Sequence, residues 1–228
     1  MDKAKEAAGR RAADYVDSGQ TVGLGTGSTV RFTLERLAER IRTEGLQIRG
    51  VPTSLDTESK ARALGIPLVP LAEALEIDVT IDGADEIDHA FDMIKGGGGA
   101  LLREKIVAAQ SRREVIVIHR SKLVERLGTT FLLPVEIVPF ARPAVWRRLE
   151  ALGSQPTLRV TESGEPYLTD NGNEVLDCRF PDGIEDAPAL ERTLSLVPGV
   201  VESGLFIGLA HVCVIGDTDG SVEVREKS

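Results

Sequence analysis

The chain of 228 residues is 42% hydrophobic and carries 36 acidic against 27 basic residues, a formal net charge of -9. That apolar content supports one or two packed domains and excludes a structureless chain, while an acidic surface repels phosphate backbones and argues against a general nucleic-acid binder. No apolar run approaches the ~18 residues of a membrane span, which argues against a membrane protein.

The opening residues, 1–16, are charged and helix-like and lack the apolar stretch of an export signal, so a cytoplasmic protein is expected. A helix is predicted over 3–16, a short strand over 21–24, and a helix over 29–42 whose Val30, Leu34, Leu37, Ala38 and Ile41 share one face. Further strands are predicted at 47–52, 67–70, 79–82 and 114–118, with helices at 57–64 and 100–110. Helices alternating with short β-branched runs give an α/β fold around a largely parallel sheet, buried on both faces. From Phe131 prolines intervene at 134, 139 and 143. A helix over 142–153, a strand over 157–160, a hairpin over 167–177 turning at Asn171-Gly172 and a helix over 187–196 then suit a small α+β insert of about 70 residues. The runs 204–208 and 211–216 are expected to return to the first sheet. The expected domains are therefore 1–130 plus 204–228, and 131–203.

Cys178 and Cys213 are far apart, and His89, His119 and His211 lack ligand spacing, so neither a disulfide framework nor a thiolate or histidine metal site is expected. Four segments can carry chemistry. Gly23 to Thr29 joins a strand to an amphipathic helix. Its glycines, its hydroxyls and the positive helix end suit a phosphate, the competing reading being an ordinary capped turn. It is neither a Walker loop, since Gly27 stands where lysine is needed, nor a dinucleotide fingerprint, since the third glycine falls on Ser28 or Val30. In the second segment, 79–88, an apolar strand ends in carboxylates. Asp82 and Asp85 flank Gly83 and Ala84, which leaves proton transfer, a hard cation or a solvated acidic loop open. The third, 95–105, sets Lys95 before four glycines and then a helix bearing Glu104, a fixed cation with backbone amides and an available base. A flexible linker fits less well between regularly patterned flanks. The fourth is Ser121-Lys122 at a strand's carboxyl end, where Lys122 can close on a phosphate but is by itself an ordinary surface lysine. His119, just before it, reads as a packed or hydrogen-bonded residue.

These segments, in this order and spacing, resemble the A-type ribose-5-phosphate isomerases: 25–29, 82–85, 95–98 with 103–105, and 121–122 look like that family's signature segments. The likeness extends to 134–139, 169–173 and 198–206, and so over nearly the whole chain. It implies a Rossmann-like domain interrupted by a small ferredoxin-like α+β domain. It also implies metal-free, cofactor-free interconversion of D-ribose 5-phosphate and D-ribulose 5-phosphate through an enediol. By the same resemblance Glu104 is the base moving a proton between C1 and C2, Asp82 and Asp85 handle hydroxyl protons and ring opening, and Lys95 stabilises oxyanion charge. Thr26, Gly27, Ser28, Thr29, Gly83, Ala84, Gly96, Gly97, Gly98, Lys122 and Lys5 are implied to contact the sugar phosphate. The family is commonly dimeric or tetrameric, so a homodimer or tetramer is implied. The sequence departs at His119, where the family often has an acid, and at Leu102, where a hydroxyl residue is more usual. Two rivals remain: a sugar-phosphate sensor module, which would normally bring a helix-turn-helix region for which the single helix before residue 21 leaves no room, and a different sugar-phosphate enzyme, such as an amino-sugar phosphate isomerase or a lactonase.

Overall fold

The computed structural model describes residues 1–74 and 76–227; Leu75 and Ser228, which fall within the expected domain ranges, lie outside the described residues. In chain order the elements are α1 (Asp2–Ala12), β1 (Thr21–Leu24), α2 (Val30–Glu44), β2 (Arg49–Pro52), α3 (Leu55–Ala63), β3 (Val79–Gly83), β4 (Glu86–Ile87), β5 (Met93–Ile94), α4 (Leu101–Ala109) and β6 (Glu114–His119). There follow β7 (Leu133–Ile137), α5 (Arg142–Ala151), β8 (Gln155–Leu158), β9 (Glu174–Arg179), α6 (Ala187–Ser195), β10 (Val200–Ser203), β11 (Leu205–Phe206), β12 (Val212–Gly216) and β13 (Val222–Glu226). Contacts divide them into two compact units, 1–84 with 103–122 and 209–228, and 85–102 with 123–208.

The first unit holds a six-stranded sheet ordered β13-β12-β6-β3-β1-β2, parallel except for the edge strand β13. β1 and β12 are buried along their whole length, which is why the sequence shows unbroken apolar runs there rather than alternation. Leu34, Leu37 and Ala38 of α2 pack with Ala8 and Ala12 of α1 and with Val22, Ile81, Val115 and Val214 of the strands. α2 stops at Gly45, whose φ of 72° lies in the left-handed region that glycine adopts freely. α3 starts at Ser54, whose hydroxyl accepts from the Thr57 amide.

The second unit pairs a four-stranded antiparallel sheet, β10-β7-β9-β8, with a three-stranded one, β11-β5-β4. The order of β7, α5, β8, β9, α6 and β10 along the chain is that of a ferredoxin-like split βαβ pair. Leu133, Val135 and Ile137 of β7 pack with Val145 and Leu149 of α5 and Leu194 of α6.

Several elements differ from expectation. The strand predicted at 67–70 is only a single parallel bridge, Gly50 to Leu68, because Pro67 and Pro70 bound it and cannot donate to a ladder. The first arm of the 167–177 hairpin is likewise a bridge, Leu168 to Glu174, although the turn forms at Asn171-Gly172 with Gly172 at φ 78°. Residues 204–208 do not join the first sheet, since β11 pairs with β5; it is β12, at 212–216, that inserts beside β6. The compact units also follow other boundaries than 1–130 plus 204–228 and 131–203. Residues 85–102 and 123–130 cluster with the second unit, where buried Glu86 accepts from the amides of Gly128, Thr130 and Phe131.

Candidate active site

In the first unit the relevant side chains gather at the carboxyl ends of the parallel strands, where open α/β sheets place their ligands. β1 stops at Leu24 and the chain turns through 25–29 into α2. The Gly25 amide donates to the Ile81 carbonyl at 3.0 Å, and a Cβ at Gly25 would lie 2.3 Å from Asp82 Oδ1, so glycine is required for the loop to seat on that carboxylate. Asp82 ends the buried part of β3 and is itself 0% exposed. Its Oδ1 accepts from the amides of Thr26 at 3.0 Å and Gly83 at 2.7 Å.

The Thr26 hydroxyl, expected to meet substrate, is engaged within the protein. It lies 2.8 Å from Thr53 Oγ1, 2.8 Å from Ser54 Oγ and 3.1 Å from Thr57 Oγ1. Thr57 in turn donates to the Gly25 carbonyl at 2.8 Å. These three residues were missed from the sequence, although a strand ending in Thr53-Ser54 before a helix is a capping signal at the right end of the sheet. The open part of the loop is Gly27 and Ser28, both exposed, with Lys5 Nζ of α1 2.9 Å from Ser28 Oγ. No side-chain hydrogen bond caps α2 at Thr29, and Lys5 stands beside this positive helix end. Glu104, in the first turn of α4, is 5% exposed. Lys122 is half-buried in the turn after β6. His119 Nδ1 accepts from the Ser121 amide at 3.1 Å, the hydrogen-bonded role expected for it.

In the second unit Asp85 Oδ2 accepts from the Gly97 amide at 2.8 Å, and the Asp85 amide donates to the Ile94 carbonyl at 2.8 Å. Lys95, 2% exposed, places Nζ 5.4 Å from the centre of the Phe206 ring, a cation over an aromatic face. The glycines that follow form an ordered turn, not a linker: the Gly99 amide donates to the Gly96 carbonyl at 2.9 Å, with φ of 100° at Gly96 and 78° at Gly99. Arg159 donates from Nη1 to the carbonyls of Gly96 at 3.0 Å and Gly97 at 3.2 Å, and the Tyr167 hydroxyl donates to that of Gly98 at 3.3 Å. Burial holds the Tyr167 phenol above its ordinary pKa, which keeps it a donor. Neither residue was singled out from the sequence, because nothing local links 159 or 167 to 96–99. The acidic run also divides. Glu86 and Asp88 are bound to backbone amides, Asp88 to those of Ala90 and Asp92 at 2.9 Å each, so these two serve the loop and are not a solvated acidic patch.

Residues 49–220 match the family model described as ribose 5-phosphate isomerase A (phosphoriboisomerase A). The chain belongs to that family. A ribose-5-phosphate isomerase A of Roseiflexus castenholzii is 52% identical across 96% of this chain and 93% of its own. One from Listeria innocua is 47% identical across the full length of both, and so includes the 25–29 loop that precedes the family match. Among solved structures, a ribose 5-phosphate isomerase from Plasmodium falciparum superposes with a TM-score of 0.96 at 40% identity over all of both chains. A D-ribose-5-phosphate isomerase in complex with phospho-erythronic acid superposes at 0.94 with 34% identity, covering 98% of this chain and 97% of that one. Membership of the ribose 5-phosphate isomerase A family makes the chain an isomerase with the α/β fold of its relatives. Among the described residues no helix is long and apolar enough to cross a membrane, and no three His, Cys, Asp or Glu side chains gather as a cation site.

Proposed function

We propose that the chain interconverts D-ribose 5-phosphate and D-ribulose 5-phosphate by proton transfer through an enediol, with neither metal nor cofactor taking part. The observation that carries this reading is burial: Asp82, Glu104 and Lys95 are 0%, 5% and 2% exposed, and each lies in one of the segments shared with the family. Charged side chains are rarely taken so far out of water without a purpose.

Glu104 takes the proton from C2 of the open-chain aldose and returns it to C1 of the enediol, giving the ketose. Asp82 and Asp85 move hydroxyl protons, including the one released on ring opening. Lys95 faces the negative charge that grows on the carbonyl oxygen, and a preorganised donor of this kind lowers a barrier by about 3 kcal/mol. Ser28, Thr29, the amides of the 25–29 loop, Lys5 and Lys122 hold the phosphate, and Gly83, Ala84, Gly96, Gly97 and Gly98 contribute backbone contacts to the sugar. By the family resemblance the working assembly is a homodimer or tetramer; the cytoplasm is its proposed place. The test is conversion of ribose 5-phosphate by purified protein in EDTA. Turnover is expected; ribose 5-phosphate bound but unconverted would overturn the reading in favour of a sensor, and activity restored only by magnesium would overturn the metal-free mechanism.

A further inference from the structure

We propose that Arg159 is a positioning residue of this isomerase: through two peptide units of the glycine turn it sets the amide that holds Asp85 and aims the Gly98 amide at the reacting oxygens. The inference rests on the function proposed above. A trans peptide unit is planar, with its C=O and N–H pointing in opposite directions. Arg159 Nη1 donates to the Gly96 carbonyl at 3.0 Å, and the N–H of that same unit, on Gly97, donates to Asp85 Oδ2 at 2.8 Å. Guanidinium, peptide unit and carboxylate thus form one chain of charge-assisted hydrogen bonds, each link of which polarises the next.

The adjoining unit repeats the pattern. Nη1 also reaches the Gly97 carbonyl at 3.2 Å, so the Gly98 N–H points away from Arg159, at a residue that is exposed. The guanidinium is itself fixed. Asp177 accepts from Nε at 2.9 Å and from Nη2 at 2.5 Å, and the two side chains are only 14% and 18% exposed. Tyr167 closes the arrangement, its ring centre 5.7 Å from the guanidinium carbon and its hydroxyl on the Gly98 carbonyl. Glycines are otherwise the residues least able to hold a peptide plane in one orientation. Here an ion pair some 60 residues further along the chain holds two of them, and does so in the turn that follows Lys95.

The experiment compares wild type, Arg159→Ala and Arg159→Lys for turnover of ribose 5-phosphate, for binding of phospho-erythronic acid by calorimetry, and for folding by circular dichroism. The carboxylate of that acid resembles the enediolate rather than the substrate. In Arg159→Ala kcat should fall about 100-fold, the scale of a small displacement at a reacting centre, while KM barely changes. Affinity for phospho-erythronic acid should fall by a similar factor. Free guanidinium should restore part of the turnover of Arg159→Ala and none to Glu104→Gln, and Arg159→Lys, with a compact ammonium in place of a fork, should fall between. Wild-type kcat in Arg159→Ala, a rise in KM with kcat intact, or a loss that neither guanidinium nor lysine relieves would each overturn the proposal. A wild type without turnover would instead overturn the function on which it rests. Should Arg159→Ala be unfolded by circular dichroism, Arg159→Lys decides: equal kcat and equal analogue affinity to wild type would overturn the proposal.

Discussion

Two glycine-rich loops, one in each unit, solve the same problem by different means. The loop at 25–29 follows a buried parallel strand and leads into a helix, and it is held by neighbours at the same end of the same sheet: Asp82 on β3 and the hydroxyls of Thr53, Ser54 and Thr57 around the start of α3. The turn at 96–99 follows β5 of a short three-stranded sheet and is held by Arg159 and Tyr167. In the first, the glycine is needed because a side chain would collide with a carboxylate. In the second, glycines supply positive φ, and also closeness: a Cβ on Gly99 would lie 2.3 Å from the Tyr167 hydroxyl. Glycine content alone therefore does not say whether a loop is rigid. What decides is which side chains reach the loop, at its amides and hydroxyl in the first and at its carbonyls in the second.

The largest effect expected is that of Glu104→Gln, which keeps size and hydrogen bonding but removes the proposed base. Turnover should drop about 10²- to 10⁴-fold with substrate binding retained, read as kcat and KM side by side. Near-normal kcat would place the base elsewhere and leave both loops serving binding alone. Next comes Gly25→Ala. With Asp82 Oδ1 2.3 Å from the new Cβ, either the loop or the carboxylate must shift, and a shift on the order of 1 Å corresponds to about 100-fold in kcat/KM. The contrast with Gly27→Ala sharpens the comparison, because a Cβ at Gly27 meets nothing within 4 Å and only its φ of 131° is strained. Gly27→Ala should therefore lose stability more than it loses rate.

The two loops also differ in how much of them can be read from the sequence. Strand, glycine turn and amphipathic helix are consecutive at 21–44, so periodicity and a phosphate-type loop point to the same place, and the helix predicted over 29–42 is found at 30–44. The carboxyl ends of β3 and β6 are legible for the same reason, since a buried strand followed by Asp82 or by Ser121-Lys122 has a definite polarity. The short strands β4 and β5, two residues each, are too short for any period to show, while β11 lies in the run expected as strand at 204–208 and pairs with β5 instead of joining the first sheet. Arg159 was missed because its partners lie on the carbonyls of glycines, which have no side chains to leave a pattern. Glu86 shows the opposite error: it sits in an acidic run that reads as one cluster, yet three backbone amides and the Thr130 hydroxyl claim it.

A smaller effect separates the support of the first loop from its chemistry. Thr57→Val removes the hydroxyl that donates to the Gly25 carbonyl, leaving a buried acceptor unsatisfied at about 2 kcal/mol. Chemical denaturation should show that loss. The accompanying change in kcat should be slight if Asp82 alone keys the loop. A loss as large as that of Gly25→Ala would instead mean the hydroxyl cluster is what orients it.

The smallest effect compares the units themselves, each of which carries one buried cysteine: Cys213 in β12 and Cys178 in β9. Burial pushes both thiols from 9.0 up to about 12, so neither is a thiolate at neutral pH and neither should react with a thiol reagent in the folded protein. Because the folded pKa is the higher, the folded state holds protons that the unfolded chain releases above pH 9. Stability is therefore unaffected below about pH 9 and falls as pH rises from 9 toward 12, by about 1.4 kcal/mol per pH unit for each thiol. Replacing either cysteine by alanine should flatten that slope by half. At neutral pH, slow labelling then reports opening of each unit separately. Each strand lies beside an edge strand, β13 or β8, but β12 is buried at every residue, whereas β9 has a half-buried position and an exposed end. Strands so covered open at the highest free energy, so Cys178 should label before Cys213. The reverse order would make the parallel sheet, and with it the 25–29 loop, the softer of the two scaffolds.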